Sequence, residues 1–181
     1  DSLENKINKE NLLKSGLWSY LREKPYSKIP HYSSNPQSIY ISSMPTEPFA
    51  LNYEYLMNNC KNYLQSGIDA LKNIFDCDIN LTSLDNSIFF NLDGINHYSF
   101  NKLHPAGNVG VQIHHIDPIK DGNDTRWYLS LQDLNRIGEF FHGNEYPNSK
   151  YISVGGNGLS NQGIYKIIIG TKGLLGLLHQ G

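Results

Sequence analysis

Four side chains that commonly bind metals lie close together in the sequence: His104, His114, His115 and Asp117. Imidazole and carboxylate groups form the ligand sets of many zinc and non-haem iron sites. In a helix, however, the neighbours His114 and His115 would point about 100° apart, and neither forms the i, i+4 pair of zinc peptidases. The spacing therefore predicts no metal site, and a metal-dependent enzyme built on these histidines is the weaker hypothesis.

The segment from His104 to Gly110 has two interpretations that the sequence leaves open. In the first, Pro105 ends an extended stretch, and Gly107 and Gly110 allow a close or left-handed backbone path before a short helix or strand. In the second, glycines before a helix leave free N–H groups that could hold an anion or the polar edge of a cofactor ring. The absence of Lys, Ser and Thr from the loop favours the first interpretation.

Aromatic and cationic side chains are interleaved between Trp18 and Pro30. Such a mixture at a helix end could line a pocket for an apolar ring that carries carbonyl oxygens. In the alternative interpretation, Trp18 and Leu21 face the core and the cations form a solvated helix end, where the helix dipole favours them. These cations are Arg22, Lys24 and Lys28.

Other patterns with known chemistry are incomplete. The stretch from Gly156 to Asn161 comes close to a dinucleotide-binding fingerprint, but Asn161 occupies the third glycine position. No acidic residue follows it at the distance, about 20 residues, that the fingerprint requires. The serines also lack the Gly-x-Ser-x-Gly pattern of a nucleophile elbow. The residues therefore give no support for catalysis by this chain alone.

Composition limits the classes of partner. A formal net charge of −2 and a sequence pI of about 6.4 argue against electrostatic binding of nucleic acid or an acidic membrane surface. Cys60 and Cys77 are the only cysteines, too few for a disulfide framework, so a reducing compartment is expected. Lysines and glycines interrupt the most apolar stretch, residues 164–178, and no membrane span is predicted. The chain begins with Asp1, and we expect it to be an excised fragment.

The hydrophobic pattern predicts helices that alternate with short strands. Apolar residues at helical spacing predict three long helices, at Lys9–Lys24, Asn52–Phe75 and Gln132–His142. A short helix is predicted at Thr171–Leu178. Bulky and β-branched residues predict strands at Ser38–Met44, Asp78–Thr82, Ser87–Leu92, His97–Phe100, Arg126–Leu131, Tyr151–Val154 and Gly163–Ile169.

This alternation predicts an α/β sheet layered by helices rather than a bundle or a sandwich. The glycines of residues 155–158 mark a plausible domain boundary. We therefore expect a main α/β domain over residues 1–155 and the beginning of a second, truncated domain over residues 156–181.

Several short motifs occur in an order that is more specific than any one of them. The most specific is the stretch His104–Ile119. The others are Leu13–Trp18, Arg22–Pro30, Thr46–Ala50, Gln132–Asp133, Ile137–Gly138, Gly143–Tyr146 and Ile152–Gly156. In this order they resemble the middle portion of the A subunit of the sodium-translocating NADH:quinone oxidoreductases.

The resemblance implies a particular fold. It implies a Rossmann-like α/β domain similar to the flavin- and NADH-binding subunit of respiratory complex I. Near Ile164, the start of a small β-grasp-like (SLBB-type) domain would follow.

The resemblance also implies a function. Subunits of this family lie on the cytoplasmic face of the bacterial inner membrane, within a six-subunit complex that couples electron transfer from NADH to ubiquinone with Na⁺ export. Flavins and iron–sulfur centres are associated with other subunits, so we expect no tightly bound cofactor here and membrane contact only through partner subunits. A self-sufficient flavin- or nucleotide-binding oxidoreductase domain is the alternative hypothesis.

By the same resemblance, a quinone would contact the segment that leads out of the first helix. The candidate quinone-binding residues are Leu21, Arg22, Lys24, Pro25, Tyr26 and Lys28. The loop residues His104, Gly107 and Gly110 are further candidates. The chain departs from the family pattern at Glu23, Glu47, Phe49 and Leu131, which indicates a divergent member.

Overall fold

A computed structural model describes residues 6–122, 124–143, 146–158 and 161–170 of the chain. The helices are α1 (Lys9–Lys14), α2 (Tyr53–Leu56), α3 (Lys61–Ile74), α4 (Val109–Ile116) and α5 (Leu131–Gly143). The strands are β1 (Arg22–Lys24), β2 (Ser38–Ser42), β3 (Asp78–Ser83), β4 (Asn96–Ser99), β5 (Arg126–Ser130), β6 (Ser149–Val154) and β7 (Gly163–Ile168). Short 3₁₀ helices occupy Leu17–Tyr20 and Ile88–Asn91.

Five strands form the main sheet in the order β1-β5-β2-β3-β4. The strands β2, β3, β4 and β5 run parallel, whereas β1 pairs antiparallel with β5 at one edge. The chain moves from β2 through β3 to β4 and then returns to place β5 on the other side of β2. The strand order therefore reverses between β2 and β5. In open α/β sheets, ligands bind beyond the carboxyl ends of the strands at such a position.

The two faces of the main sheet differ in polarity because successive side chains of a strand point to opposite sides. Ile41, Leu81 and Leu129 belong to the apolar cluster that also contains residues of α3 and α5. On the other face, the hydroxyl of Thr82 donates a 2.7 Å hydrogen bond to the side-chain oxygen of Gln112 in α4. Helices thus cover both faces, one through apolar contacts and one through a buried polar contact.

Helices α3 and α5 pack with their backbones close together. A Cβ atom on Gly138 would lie 1.7 Å from the carbonyl oxygen of Tyr63, and one on Gly67 would lie 2.6 Å from that of Leu134. Glycine is therefore required at both positions for this helix packing. Among the described residues, no helix has the length and apolar character needed to cross a membrane.

The strands β6 and β7 form a separate two-stranded antiparallel sheet. Such a hairpin is marginally stable alone. The side chain of Gln132 in α5 attaches it to the main domain: its oxygen accepts a 2.5 Å hydrogen bond from the N–H of Tyr151, and its nitrogen donates to the Tyr151 carbonyl at 3.4 Å. Gln132 therefore binds the second sheet through the backbone of Tyr151, and the Tyr151 side chain also packs against the apolar core.

The predicted α/β architecture is confirmed, with a mixed main sheet and a second small sheet. The positions of β2, β3, β5, β6, β7 and α5 also match their predictions within about two residues. The helix predicted at Thr171–Leu178 lies outside the described residues. The domain boundary after residue 155 remains a prediction.

The two long helices predicted in the first half of the chain are wrong in extent. The helix predicted over Lys9–Lys24 ends at Lys14, because Gly16 adopts a left-handed backbone with φ 77° and turns the chain. The chain then forms a 3₁₀ helix and enters β1 instead of continuing as a helix. The helix predicted over Asn52–Phe75 is divided into α2 and α3, with residues 57–60 between them.

The strand predicted at Ser87–Leu92 is also wrong, since the chain forms a 3₁₀ helix over Ile88–Asn91. The hydroxyl oxygen of Ser87 accepts a hydrogen bond from the N–H of Phe89 at 3.2 Å and caps this helix. A local side-chain bond of this kind competes with strand formation.

Candidate functional site

We call residues 21–28, which contain the six candidate quinone-binding residues, the quinone segment. One of these six side chains is buried and the other five are partly or fully exposed. Leu21 is fully buried in the apolar core and the neighbouring Trp18 is only 4% exposed, so the structural interpretation of these two side chains is confirmed. Arg22 lies in β1 and donates a 2.6 Å hydrogen bond to the carbonyl of Ser19. The remaining residues, Lys24, Pro25, Tyr26 and Lys28, are partly or fully accessible to solvent.

A tight turn presents the exposed part of this segment. The N–H of Glu23 donates to the carbonyl of Lys28 at 2.8 Å, and the Lys28 ammonium pairs with the buried Glu23 carboxylate at 3.2 Å. The turn residues between them project outward, and the Tyr26 ring is 70% exposed. A large exposed aromatic ring held on a closed turn is available to a partner or a ligand.

The quinone segment and the His104–Gly110 loop meet at Lys24. The Lys24 ammonium lies 5.2 Å from the centre of the Tyr128 ring and donates to the hydroxyl of Ser27 at 3.0 Å. A Cβ atom on Gly110 would lie 3.8 Å from the Lys24 nitrogen. We refer to Lys24, Tyr26, Gly110 and Tyr128 as the Lys24 junction.

The His104–Gly110 loop is shaped by contacts with the loop after β2 and by the N-cap of α4. The N–H of Gly107 donates to the hydroxyl of Thr46 at 3.0 Å, and that hydroxyl is 3.3 Å from Nδ1 of His104. A Cβ atom on Gly107 would lie 2.5 Å from backbone atoms of Met44 and Thr46, so only glycine fits there. The side-chain oxygen of Asn108 accepts a 2.9 Å hydrogen bond from the N–H of Gly110. These contacts favour the interpretation of the loop as a shaped backbone turn over that of an anion cradle.

The histidines near α4 do not gather into a ligand set. The rings of His114 and His115 contact each other, with centroids 5.7 Å apart, and Asp117 accepts a 2.6 Å hydrogen bond from the buried Arg126. Arg126 also binds Asp124 and holds the pKa of that carboxyl below its usual value. Among the described residues, no group of three or more His, Cys, Asp or Glu side chains could hold a metal ion.

A cleft that the sequence did not indicate opens at the carboxyl edge of the sheet. Its volume is about 370 Å³, and it is lined by residues from the loop after β2, from α2 and from the loops that follow β3 and β4. We call it the carboxyl-edge cleft. Among its lining side chains are Met44, Phe49, Tyr53, Leu84 and Lys102. The position of this loop in the sequence could have predicted the cleft, because a loop that directly follows a buried parallel strand lies at the ligand-binding edge of the sheet.

Buried polar groups lie beside the cleft where the strand order reverses. The hydroxyl of Ser130, at the end of β5, donates to the Asp133 carboxylate at 2.7 Å and accepts the Asp133 N–H at 3.1 Å. Burial raises the pKa of Asp133. Burial also raises the pKa of Tyr53 to about 12, and a hydrogen bond with Ser130 opposes part of that shift. Ser130 therefore links the cleft to the start of α5.

The fold and these two sites define a class of protein: an α/β domain with a mixed five-stranded sheet, a small second sheet, and accessible polar and aromatic groups on its loops. Comparison with known families then gives a specific assignment. The chain belongs to the family described as the NqrA second alpha/beta domain, which matches residues 3–146.

Similar proteins carry a consistent name, the A subunit of Na(+)-translocating NADH-quinone reductase. The protein of Saccharophagus degradans is 31% identical over 168 residues, which cover 90% of this chain and 37% of that protein. The protein of Actinobacillus pleuropneumoniae is 32% identical over 174 residues, covering 91% of this chain and 37% of its own length. That of Haemophilus influenzae is 30% identical over 173 residues, with the same coverage. The predicted resemblance to the A subunit is confirmed, and the chain spans less than two fifths of these relatives.

Proposed function

We propose that the chain acts as the second α/β domain of the A subunit in a sodium-translocating NADH:quinone reductase. That complex would couple electron transfer from NADH to ubiquinone with export of Na⁺. The family match over residues 3–146 and the names of the relatives support this role. In this proposal the domain contributes contacts for quinone and for assembly rather than chemistry.

The same proposal includes the setting of the domain. It lies on the cytoplasmic face of the inner membrane and reaches the membrane through partner subunits. Its main sheet is of the Rossmann-like kind, since the parallel strands reverse their order between β2 and β5. The sheet of β6 and β7 begins the β-grasp-like domain.

Quinone contact is proposed at the Lys24 junction. One observation carries this assignment: two separate chain segments meet where Lys24 lies against Gly110 and over the ring of Tyr128. A quinone ring requires flat apolar contact and hydrogen-bond donors for its carbonyl oxygens. The exposed ring of Tyr26 supplies the flat apolar contact, and the Lys24 ammonium supplies the hydrogen-bond donor.

The position of Lys24 favours a specific contact. Its ammonium donates to the hydroxyl of Ser27 and lies over the Tyr128 ring, and the half-buried side chain keeps part of its surface accessible. A donor that is already ordered loses less entropy when a ligand binds. Leu21 supports the junction from the core without reaching its surface.

Kinetics of the intact complex test this assignment. Tyr26→Ala and Lys24→Met should each raise the KM for quinone about 5- to 20-fold, which corresponds to about 1–2 kcal/mol of lost contact. NADH oxidation with an electron acceptor that does not use the quinone site should be unchanged. The matched control is Tyr55→Ala, which removes a ring that is 74% exposed and belongs to α2 rather than to the junction. An unchanged KM in both junction variants, with the complex assembled, would contradict the assignment.

A second candidate is a flavin- or nucleotide-binding oxidoreductase domain. The reversal of strand order beside the carboxyl-edge cleft favours it. Two features oppose it: residues 43–54 contain no glycine to cradle a phosphate, and the Gly156–Asn161 stretch leads into β7 rather than into a helix. A colourless purified protein without a thermal shift on adding FMN or NADH would remove this candidate.

A further inference from the structure

A small cavity lies between α5 and the second sheet. Its lining includes Gln132, Asn135, Arg136 and Glu139, which share one face of α5, together with residues of β6 and β7. We call it the α5 cavity. Its volume is about 60 Å³, which corresponds to about two water molecules at roughly 30 Å³ each. This volume is far below the roughly 300 Å³ at which pockets for larger ligands begin.

Two buried side chains of the cavity each have one polar atom without a partner in the described part of the chain. Asn135 is 5% exposed and Arg136 is 4% exposed. The amide nitrogen of Asn135 donates to the Glu139 carboxylate at 2.8 Å, but its oxygen Oδ1 accepts no hydrogen bond. The terminal nitrogen Nη2 of Arg136 donates to the Pro147 carbonyl at 3.1 Å, but Nε donates to nothing. Because most buried polar atoms in folded proteins are paired, both atoms require a partner.

The charges around the cavity favour an uncharged occupant. The lining contains the cations Arg136, Lys150 and Lys166 and the carboxylate of Glu139. An anion could accept from Nε of Arg136, but the oxygens of Asn135 and Glu139 would repel it. A metal ion could bind those two oxygens, but it would lie beside three cations. A neutral molecule that both donates and accepts hydrogen bonds satisfies the two unpaired atoms without either conflict.

From the volume, the two unpaired atoms and the mixed charges, we propose that the α5 cavity binds ordered water that donates to Oδ1 of Asn135 and accepts from Nε of Arg136. A buried water molecule makes about three hydrogen bonds, so polar groups of the second sheet at the cavity, such as Ser149 in β6, complete its set of partners. The water thereby joins α5 to the second sheet, in addition to the two hydrogen bonds between Gln132 and Tyr151. This site is independent of the proposed quinone contact.

Nuclear magnetic resonance of the full chain detects such water directly. The methylene protons of Asn135 and Arg136 should give NOESY and ROESY cross peaks with water that have opposite signs, which identifies water that tumbles with the protein. Methylene protons do not exchange with solvent, so proton exchange cannot imitate this result. The exposed Asn73 in α3 is the internal control, and its methylene protons should show only the brief contacts of surface water. Added sodium chloride should leave the resonances of Asn135 and Arg136 in place.

A variant tests whether the water joins the two parts of the chain. Asn135→Leu removes the acceptor at similar side-chain volume, so amide exchange in β6 and β7 should accelerate about 3- to 10-fold, as for the loss of about one hydrogen bond. The matched control Asn73→Leu should leave this exchange unchanged. The proposal is overturned if the unaltered chain shows only surface water at Asn135 and Arg136, or if sodium chloride shifts their resonances in a saturable manner, which indicates a bound ion. It is also overturned if folded Asn135→Leu protein exchanges β6 and β7 at the unaltered rate.

Discussion

At the residue scale, buried polar groups have the most direct physical consequences. Tyr53 and Asp133 share the hydroxyl of Ser130 at the end of β5, and burial raises the pKa of both acids. A raised pKa means that the neutral form is favoured in the folded state. The free energy of unfolding therefore falls as the pH rises from the pKa of the group in the unfolded chain to its higher pKa in the folded chain, because only the unfolded chain ionises readily in that range.

For Tyr53 this effect predicts alkaline destabilisation. The folded pKa is about 12 against an ordinary value of 10.0, so the stability is fully present below pH 10 and is lost as the pH rises through 12. The free energy of unfolding should fall by about 2–3 kcal/mol over this window from Tyr53 alone. Urea unfolding between pH 9 and pH 12 measures the loss, and Tyr53→Phe should reduce it. The exposed control Tyr55→Phe should not, and equal curves for the two variants would contradict the prediction.

The burial of individual side chains could be predicted from the sequence better than their long-range contacts. The pattern around Trp18 and Leu21 predicted two core residues, because a local apolar period reports which side chains face inward. The contact between Lys24 and Gly110 could not be predicted, since it depends on how β1 pairs with β5 and where α4 begins. The exposure of Phe49 could not be predicted from the sequence either, because phenylalanine is usually buried.

At the scale of elements, the contact between α3 and α5 depends on glycine. Gly138→Ala should lower the free energy of unfolding by about 2–4 kcal/mol, because the new methyl group would collide with the Tyr63 carbonyl. Gly143→Ala is the matched control in the same helix. No atom outside its own neighbourhood lies within 4 Å of that position, so it should be neutral or stabilise by about 0.5–1 kcal/mol. Chemical denaturation of both variants checks the difference, and similar losses would contradict it.

The attachment of β6 to α5 gives a second prediction at this scale. Gln132→Ala removes both hydrogen bonds to the backbone of Tyr151, so amide exchange in β6 and β7 should accelerate while the main sheet stays protected. Hydrogen–deuterium exchange resolves the two sheets. The control is Gln65→Ala, which also removes two bonds to the backbone of one residue, Asp93, but on the surface. Unchanged exchange in β6 would show that other contacts hold the second sheet.

Helices and strands were predicted correctly where one hydrophobic period extended over the whole segment. They were predicted incorrectly where a local turn interrupted the segment. Strands β2 and β3 were predicted because their apolar residues form short compact runs. The helix predicted over Lys9–Lys24 contained Leu12, Leu17 and Leu21, all fully buried. The left-handed turn at Gly16 nevertheless separates Leu12 in α1 from Leu17 in the 3₁₀ helix, and Leu21 lies between that helix and β1. Hydrophobic periodicity does not reveal such a turn, because the residues on both sides of it still bury their apolar side chains.

At the scale of the whole molecule, the chain corresponds to only part of the relatives that it resembles. It belongs to the NqrA second alpha/beta domain family and covers about 37% of relatives named as the A subunit. The ordered motifs predicted this family directly.

Photo-crosslinking in the intact complex tests the central proposal most directly. A light-activated quinone analogue should label a peptide that contains residues 21–28, and excess natural quinone should suppress that label. Tyr26→Ala should reduce the label, whereas Tyr55→Ala should not. If the analogue labels the complex while residues 21–28 are never modified, the Lys24 junction is not a quinone contact and the central proposal is wrong.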